Sequence, residues 1–204
     1  MGSTDRRPPP RLILASGSPR RRELLAAMGY AFEVLVPRVD ESVAPGADAA
    51  EAAERLAVAK AEEAARRAPP PAVIVAADTL CALRGRVIGK PADRDDARRI
   101  LRRLSGTRHH VITGLCVLDA RSGRRVAESV ATAVVMKPMT DAQVREYVES
   151  GEADGKAGAY AIQETGDRYV ARIEGSFDNV VGLPTERLAE ILAEFGLPPP
   201  APGP

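Results

Sequence analysis

At 204 residues the chain is long enough for one large α/β domain or two small lobes, and it can bury a core without disulfides or structural metal. It is 45% hydrophobic and 28% charged, with 29 Lys and Arg against 28 Asp and Glu for a net charge of +1, a balance that argues against a dedicated nucleic-acid binder. Aromatics make up 3% with no Trp, which argues against stacking platforms for single-stranded nucleic acid, and no apolar run approaches the ~20 residues of a bilayer span.

Residues 1–10 and 197–204 are rich in Pro and read as disordered tails around a single domain over 11–196. The basic first segment does not read as a signal peptide. Leu12-Ile13-Leu14-Ala15 is a short strand. Ser18-Pro19 then opens a helix, with Ser as N-cap and Pro in the first turn, running to about Met28 before Gly29. Phe32 to Val36 reads as a strand, and Asp48 to about Arg67 as an Ala-rich helix. Ala72 to Ala77 is a buried strand with Asp78 at its end, and Thr79–Leu83 pairs with Val87-Ile88 in a hairpin around Arg84-Gly85. Asp93 to Leu104 is an amphipathic helix. Val111–Leu118 and Val126–Met136 are long strands, and Thr140-Asp141-Ala142-Gln143 is a capping box. Tyr169–Ile173 and Val180-Val181 are β-like, and Pro184–Phe195 is a last helix. Alternating strands and helices with inserted hairpins predict α/β with a mixed sheet.

Several segments carry chemistry. Leu14-Ala15-Ser16-Gly17-Ser18-Pro19-Arg20-Arg21-Arg22 runs from a strand through small residues to a helix N-terminus, whose free N–H groups make an anion site. Three arginines there oppose the helix dipole, and a bound polyanion would offset that; a solvated basic face is the plainer reading. Asp78, ending a buried strand, needs a metal, a Lys or backbone donors. Asp40-Glu41-Ser42 gains weight only as a second metal or water ligand. Lysine is rare: Lys60, Lys90, Lys137 and Lys156 are all of it, and Lys60 and Lys90 suit a triphosphate as compact charges. Gly155 to Gln163 is dense in small residues, and Gln163 has the paired donor and acceptor that read a base edge, or else lies in a loop-rich surface corner. His109-His110 should point to opposite faces of a strand and so share no metal. Cys81 and Cys116 lie in apolar runs without zinc spacing and read as buried thiols of a cytoplasmic protein, with one disulfide between them as the alternative.

Taken together, the order of pieces resembles the Maf-type nucleoside triphosphate pyrophosphatases, also labelled septum formation inhibitors. The matching residues are Leu14 to Arg21, Val39-Asp40-Glu41, Ala59-Lys60-Ala61, Ala77-Asp78-Thr79, Gly89-Lys90-Pro91, Leu104-Ser105-Gly106 with His109, Val111, Thr113 and Gly114, Gly155 to Tyr160, Ile173 to Ser176 and Val181 to Pro184. The resemblance covers roughly residues 12–196. It implies an elongated mixed sheet flanked by helices, with two lobes around a deep cleft. It implies hydrolysis of a nucleoside triphosphate to monophosphate and pyrophosphate with a divalent cation, magnesium or manganese. By the same resemblance Asp78 is the proton acceptor, and Glu41 and Asp78 are the metal-side carboxylates. Ser16, Arg20, Lys60 and Lys90 fall on the phosphate side, where the Ser18 hydroxyl at the helix start adds a donor; Arg21, Thr79 and Gln163 match positions tied to substrate choice. Ala-Asp-Thr at residues 77–79 resembles the dTTP/UTP branch. A role in nucleotide-pool sanitation or division arrest follows from the family label. The expected partner is the nucleotide, without nucleic acid or membrane, and with room for a homodimer. Two rivals stand beside this reading: a nucleotide-binding regulator without catalysis, and a pyrophosphatase for another nucleotide.

Overall fold

The computed structural model describes residues 10–200 apart from Pro45 and Glu164. The tails expected at 1–10 and 197–204 therefore lie largely outside the described residues. Ordered packing reaches past 196: the Leu197 N–H donates to the Leu192 carbonyl at 2.9 Å, and Tyr30 Oη donates to the Leu197 carbonyl at 3.1 Å.

Seven strands form one mixed sheet among the described residues. β1 (Arg11–Ala15) lies between β2 (Glu33–Val34) and β3 (Ala72–Leu83), parallel to both. From β3 the sheet continues antiparallel through β5 (Arg108–Asp119) and β6 (Arg125–Met136) to β7 (Val170–Glu174). β4 (Arg86–Ile88) returns from β3 as a hairpin, its turn carried by positive φ at Arg84 and Gly85. The helices are α1 (Pro19–Ala27), α2 (Ala49–Arg67), α3 (Arg94–Leu104), α4 (Asp141–Glu149), α5 (Phe177–Val181) and α6 (Thr185–Glu194). No described helix is long and apolar enough to cross a membrane.

Residue alternation along β3 sorts the two faces. Ile74 and Ala76 pack with Ala57, Ala61 and Ala64 of α2. Val73, Val75 and Ala77 pack with Leu25 of α1 and Leu188, Ile191 and Leu192 of α6. Beyond them Leu80 and Ala82 continue the α2 face, while Cys81 joins Val111, Tyr147 and Tyr160 on the other. The Ala stripe lets α2 lie close to the sheet, and Gly114 brings it closer still. A Cβ on Gly114 would stand 2.1 Å from the Ala53 carbonyl oxygen, so only glycine fits where α2 crosses β5.

Three sequence expectations need correction. Asp78 does not end a strand: β3 runs unbroken through it for 12 residues, because β5 pairs with it from Val73 to Ala82. Phe32 to Val36 is strand only at Glu33–Val34. β2 pairs with Ile13 and Leu14 alone, and beyond Ala15 the chain turns away into α1. Val180-Val181 is not β-like but ends α5; the Ser176 side chain caps that helix by accepting the Asn179 N–H, which overrides the β-branched preference.

Candidate active site

The sheet has a break. β1 pairs with β3 up to Ala76, and β4 pairs with it from Cys81. Residues 77–80 of β3 thus have no strand neighbour on that edge. Asp78 and Thr79 occupy the middle of the break, and their side chains leave on opposite faces. A ligand entering at the edge can meet both.

On the α2 face lies a chain of alternating charges. Lys60 reaches back from α2, as long helical side chains do, and its Nζ donates to Asp78 Oδ1 at 2.5 Å. The same Nζ pairs with Glu41 Oε1 at 2.7 Å, and Lys90 Nζ donates to Glu41 Oε2 at 3.0 Å. The chain grades from inside to outside: Lys60 and Asp78 side chains are 5% and 9% exposed, Glu41 and Lys90 44% and 57%. Burial works against the Glu41 charge, but hydrogen bonds and charges from Lys60 and Lys90 prevail and hold its carboxyl at about 2. Asp78 Oδ2 has no hydrogen-bond partner among the described residues.

On the other face lies a network of hydroxyls around one arginine. Arg21 Nε donates to the Gly182 carbonyl at 2.8 Å, one terminal nitrogen to Thr79 Oγ1 at 2.9 Å, and the other to Ser16 Oγ at 3.4 Å. Burial draws Arg21 below its ordinary value, against the charges of Asp78 and Glu41, which hold it up across the break. Thr79 Oγ1 lies 3.0 Å from Thr113 Oγ1, which donates to the Asn179 carbonyl at 3.0 Å. Ser16 Oγ also accepts the Ser18 N–H at 3.1 Å. With two donors already aimed at it, the Ser16 hydroxyl keeps its own proton uncommitted among the described residues.

The three arginines at the start of α1 divide their work. Arg21 is bound inward. Arg22 is exposed. Arg20 is partly buried and makes no side-chain hydrogen bond among the described residues, so its fork is open to an anion. The Ser18 side chain caps α1 by accepting the Arg21 N–H at 3.4 Å. Gln163 joins neither network. It is exposed and lines a groove of about 590 Å³ with Phe177, Arg172 and Ile173. α5 connects the two places, with Phe177 at its start in the groove and Gly182 just past its end against Arg21.

His109 and His110 separate as the alternation required. His109 is fully buried, with Nε2 at 2.8 Å from Tyr160 Oη, and burial pulls it down to about 4. Its role is structural. Cys81 and Cys116 are free and buried, and burial pushes both thiols up to about 12.

Two residues had no role in the sequence reading but belong to the site. Thr113 stood among the matched positions without an assignment. Asn179 went unnoticed. It is fully buried, and its Nδ2 donates to the Val111 carbonyl at 3.2 Å and to Thr132 Oγ1 at 3.0 Å, which fixes α5 to the sheet. The signal available was a lone amide in an apolar stretch.

Glu41 and Asp78 offer hard oxygen donors of the kind magnesium takes together with substrate phosphates. The ammonium of Lys60 stands between them, and among the described residues no third acidic, His or Cys side chain joins to make a full cage. The set fits a divalent ion that shares its shell with a ligand.

An α/β sheet broken beside a buried carboxylate, with four cationic side chains (Arg20, Arg21, Lys60, Lys90) set against two carboxylates, is a charge arrangement suited to a polyanion. The Maf-like protein family model matches residues 11–195, and the chain belongs to that family. A dTTP/UTP pyrophosphatase of Anaeromyxobacter dehalogenans is 48% identical over 94% of this chain and 97% of that protein. One from an Anaeromyxobacter species is 50% identical, covering 95% and 94%, and one from Pelotomaculum thermopropionicum is 44% identical, covering 91% and 96%. Among solved structures, a nucleoside-triphosphatase / dITP/XTP pyrophosphatase of Mycobacterium abscessus aligns over 63% of this chain and 75% of its own, at 18% identity and a TM-score of 0.42.

Proposed function

We propose that this protein hydrolyses dTTP and UTP to the nucleoside monophosphate and pyrophosphate. The observation that carries the reading is Asp78: a buried carboxylate in the break of the sheet, tethered through one oxygen to Lys60, with the other oxygen unpaired. The names of relatives at 44–50% identity supply the substrate class.

In this reading Asp78 Oδ2 takes a proton from a water as that water's oxygen attacks the α-phosphorus in line. The bond from the α-phosphorus to the α–β bridging oxygen breaks, and pyrophosphate leaves with that bond's electron pair. Lys60 keeps Asp78 in place through Oδ1. Lys90 and Arg20 neutralise the charge that grows on the leaving group, and Ser16 donates its free hydroxyl proton to a phosphate oxygen. Glu41 and Asp78 would hold a divalent cation, magnesium or manganese, whose contribution when bound is to polarise phosphoryl oxygens. Arg21, Thr79 and Gln163 are assigned to substrate choice. The free, buried thiols are in keeping with a cytoplasmic site of action.

The test is incubation of purified protein with Mg²⁺ and dTTP, UTP, CTP, ATP, GTP or 7-methyl-GTP, with products resolved by liquid chromatography. The wild type should convert dTTP and UTP to monophosphate plus pyrophosphate. Asp78→Asn should lose about 10²–10⁴-fold in turnover while still binding nucleotide. Diphosphate plus phosphate as products would overturn attack at the α-phosphorus. Tight binding without turnover in the wild type would leave a nucleotide-binding regulator instead.

A further inference from the structure

The hydroxyl protons on the Thr79 face can be counted. A threonine hydroxyl has one proton and two lone pairs. Thr113 Oγ1 donates its single proton to the Asn179 carbonyl, which can only accept. At 3.0 Å from Thr113, Thr79 must therefore be the donor of the bond between them. One lone pair of Thr79 Oγ1 already accepts from Arg21 at 2.9 Å. What remains free on Thr79 is one lone pair and no proton.

The free side is accessible. Thr79 is partly exposed, between buried Asp78 and Leu80. Beside it stands Gly182, at φ 128°, where a Cβ would come within 3.4 Å of Thr79 Oγ1. A side chain there would crowd the hydroxyl and would also be strained at that φ.

We propose that Thr113 is a positioning residue for substrate choice. By taking the Thr79 proton it fixes Thr79 Oγ1 as an obligate acceptor, which selects nucleobases that present a ring N–H. This rests on the dTTP/UTP reading above. Once N1 carries the sugar, the only N–H on a uracil or thymine ring is at N3. Cytosine has a lone pair at N3. An acceptor facing an acceptor leaves two polar atoms unpaired, which is how a polar site rejects a near-isostere strongly. The Thr113–Thr79 pair thus separates UTP from CTP through a residue that touches no substrate.

Thr113→Val removes the acceptor at nearly constant volume. The Thr79 proton is then free to turn outward and serve cytosine N3. The measurement is kcat/KM for UTP and CTP in wild type, Thr113→Val, Thr113→Ser, Thr79→Val and the Thr79→Val/Thr113→Val double variant. We expect the UTP-to-CTP ratio to fall about tenfold or more in Thr113→Val, to return in Thr113→Ser, and to show no further change when Thr113→Val is added to Thr79→Val. Equal loss on both substrates in Thr113→Val is the signature of a merely structural residue and overturns the proposal, as does an unchanged ratio. If Thr113→Val does not fold, Thr79→Val at its partly exposed position decides: it must reduce UTP turnover more than CTP turnover, and parallel losses overturn the assignment. A wild type that turns over other triphosphates but neither UTP nor dTTP overturns the reading beneath it, and the proposal with it.

Discussion

Asp78 and Thr79 are neighbours in one strand, yet the regions they face work by different physics. The Asp78 side is ionic: Lys90, Glu41, Lys60 and Asp78 alternate in sign from solvent to interior. The Thr79 side is directional: one guanidinium and the hydroxyls of Ser16, Thr79 and Thr113 hold each other in fixed donor and acceptor roles. Charge acts at a distance and tolerates small errors of angle, which suits phosphates. A hydroxyl with its proton committed tells an N–H from a lone pair, which suits a base. The break between β1 and β4 lets one substrate use both.

The comparison breaks most severely at Lys60. Lys60→Met leaves the buried Asp78 carboxylate without its counter-charge. Loss of one partner of a buried pair costs about 3–5 kcal/mol, and chemical denaturation should show it. Adding Asp78→Leu to Lys60→Met should recover most of that stability with no activity, because no lone charge remains. A single Lys60→Met variant as stable as the wild type would mean that the pair contributes nothing to folding.

The sequence made the ionic side legible and the directional side only half so. Asp78, Lys60 and Lys90 stand out because an acid in an apolar run and rare lysines need reasons, whereas Glu41, one of an acidic pair in a loop, gains its weight only beside them and from the family resemblance. Their pairing does not stand out: Lys60 and Asp78 lie on different elements, and their contact depends on how closely α2 approaches the sheet, which Gly114 sets. Arg20, Arg21 and Arg22 are chemically identical in the sequence. Only the positions of Gly182 and Thr79 sort them into one bound inward and one open to a ligand. Two adjacent valines favour strand at the end of α5; the Ser176 cap that overrides them is a local signal, while the Asn179 anchor acts through tertiary contacts that the sequence does not display. The short β2 was misread for a similar reason, since its length is set by where β1 ends.

Gly114→Ala tests whether the ionic side depends on that close approach. The added methyl would meet the backbone of Ala53, not a side chain that can swing aside. α2 must lift, at a cost of about 1–3 kcal/mol, and Lys60 moves with it. Thermal unfolding should register the loss, and turnover should fall for UTP and CTP alike, since Thr79 faces away from α2. A change in the UTP-to-CTP ratio instead would show that the two sides are not separable.

Acid should distinguish the sides by the pH at which each gives way, with no effect near neutrality. On the Thr79 face, burial holds His109 at about 4, below its ordinary 6.5. The unfolded chain therefore binds more protons between those values, and stability falls as pH drops from 6.5 to 4. On the Asp78 face, Glu41 sits at about 2 instead of 4.5. Its contribution is complete above 4.5 and disappears as pH falls from 4.5 toward 2. Glu41 is nearly half exposed, so its share is the smaller one and weakens with salt. Urea unfolding across this range should lose its upper limb in His109→Phe and its lower limb in Glu41→Gln. His109→Phe also leaves the Tyr160 hydroxyl without its partner, which shifts the whole curve downward without changing its slope, because Tyr160 does not titrate in this range, so slope is the quantity to compare. A wild-type profile that is level between 6.5 and 4 would mean that His109 is no harder to protonate folded than unfolded, and the dry packing around Tyr160 would have to be looser than its 2.8 Å bond indicates.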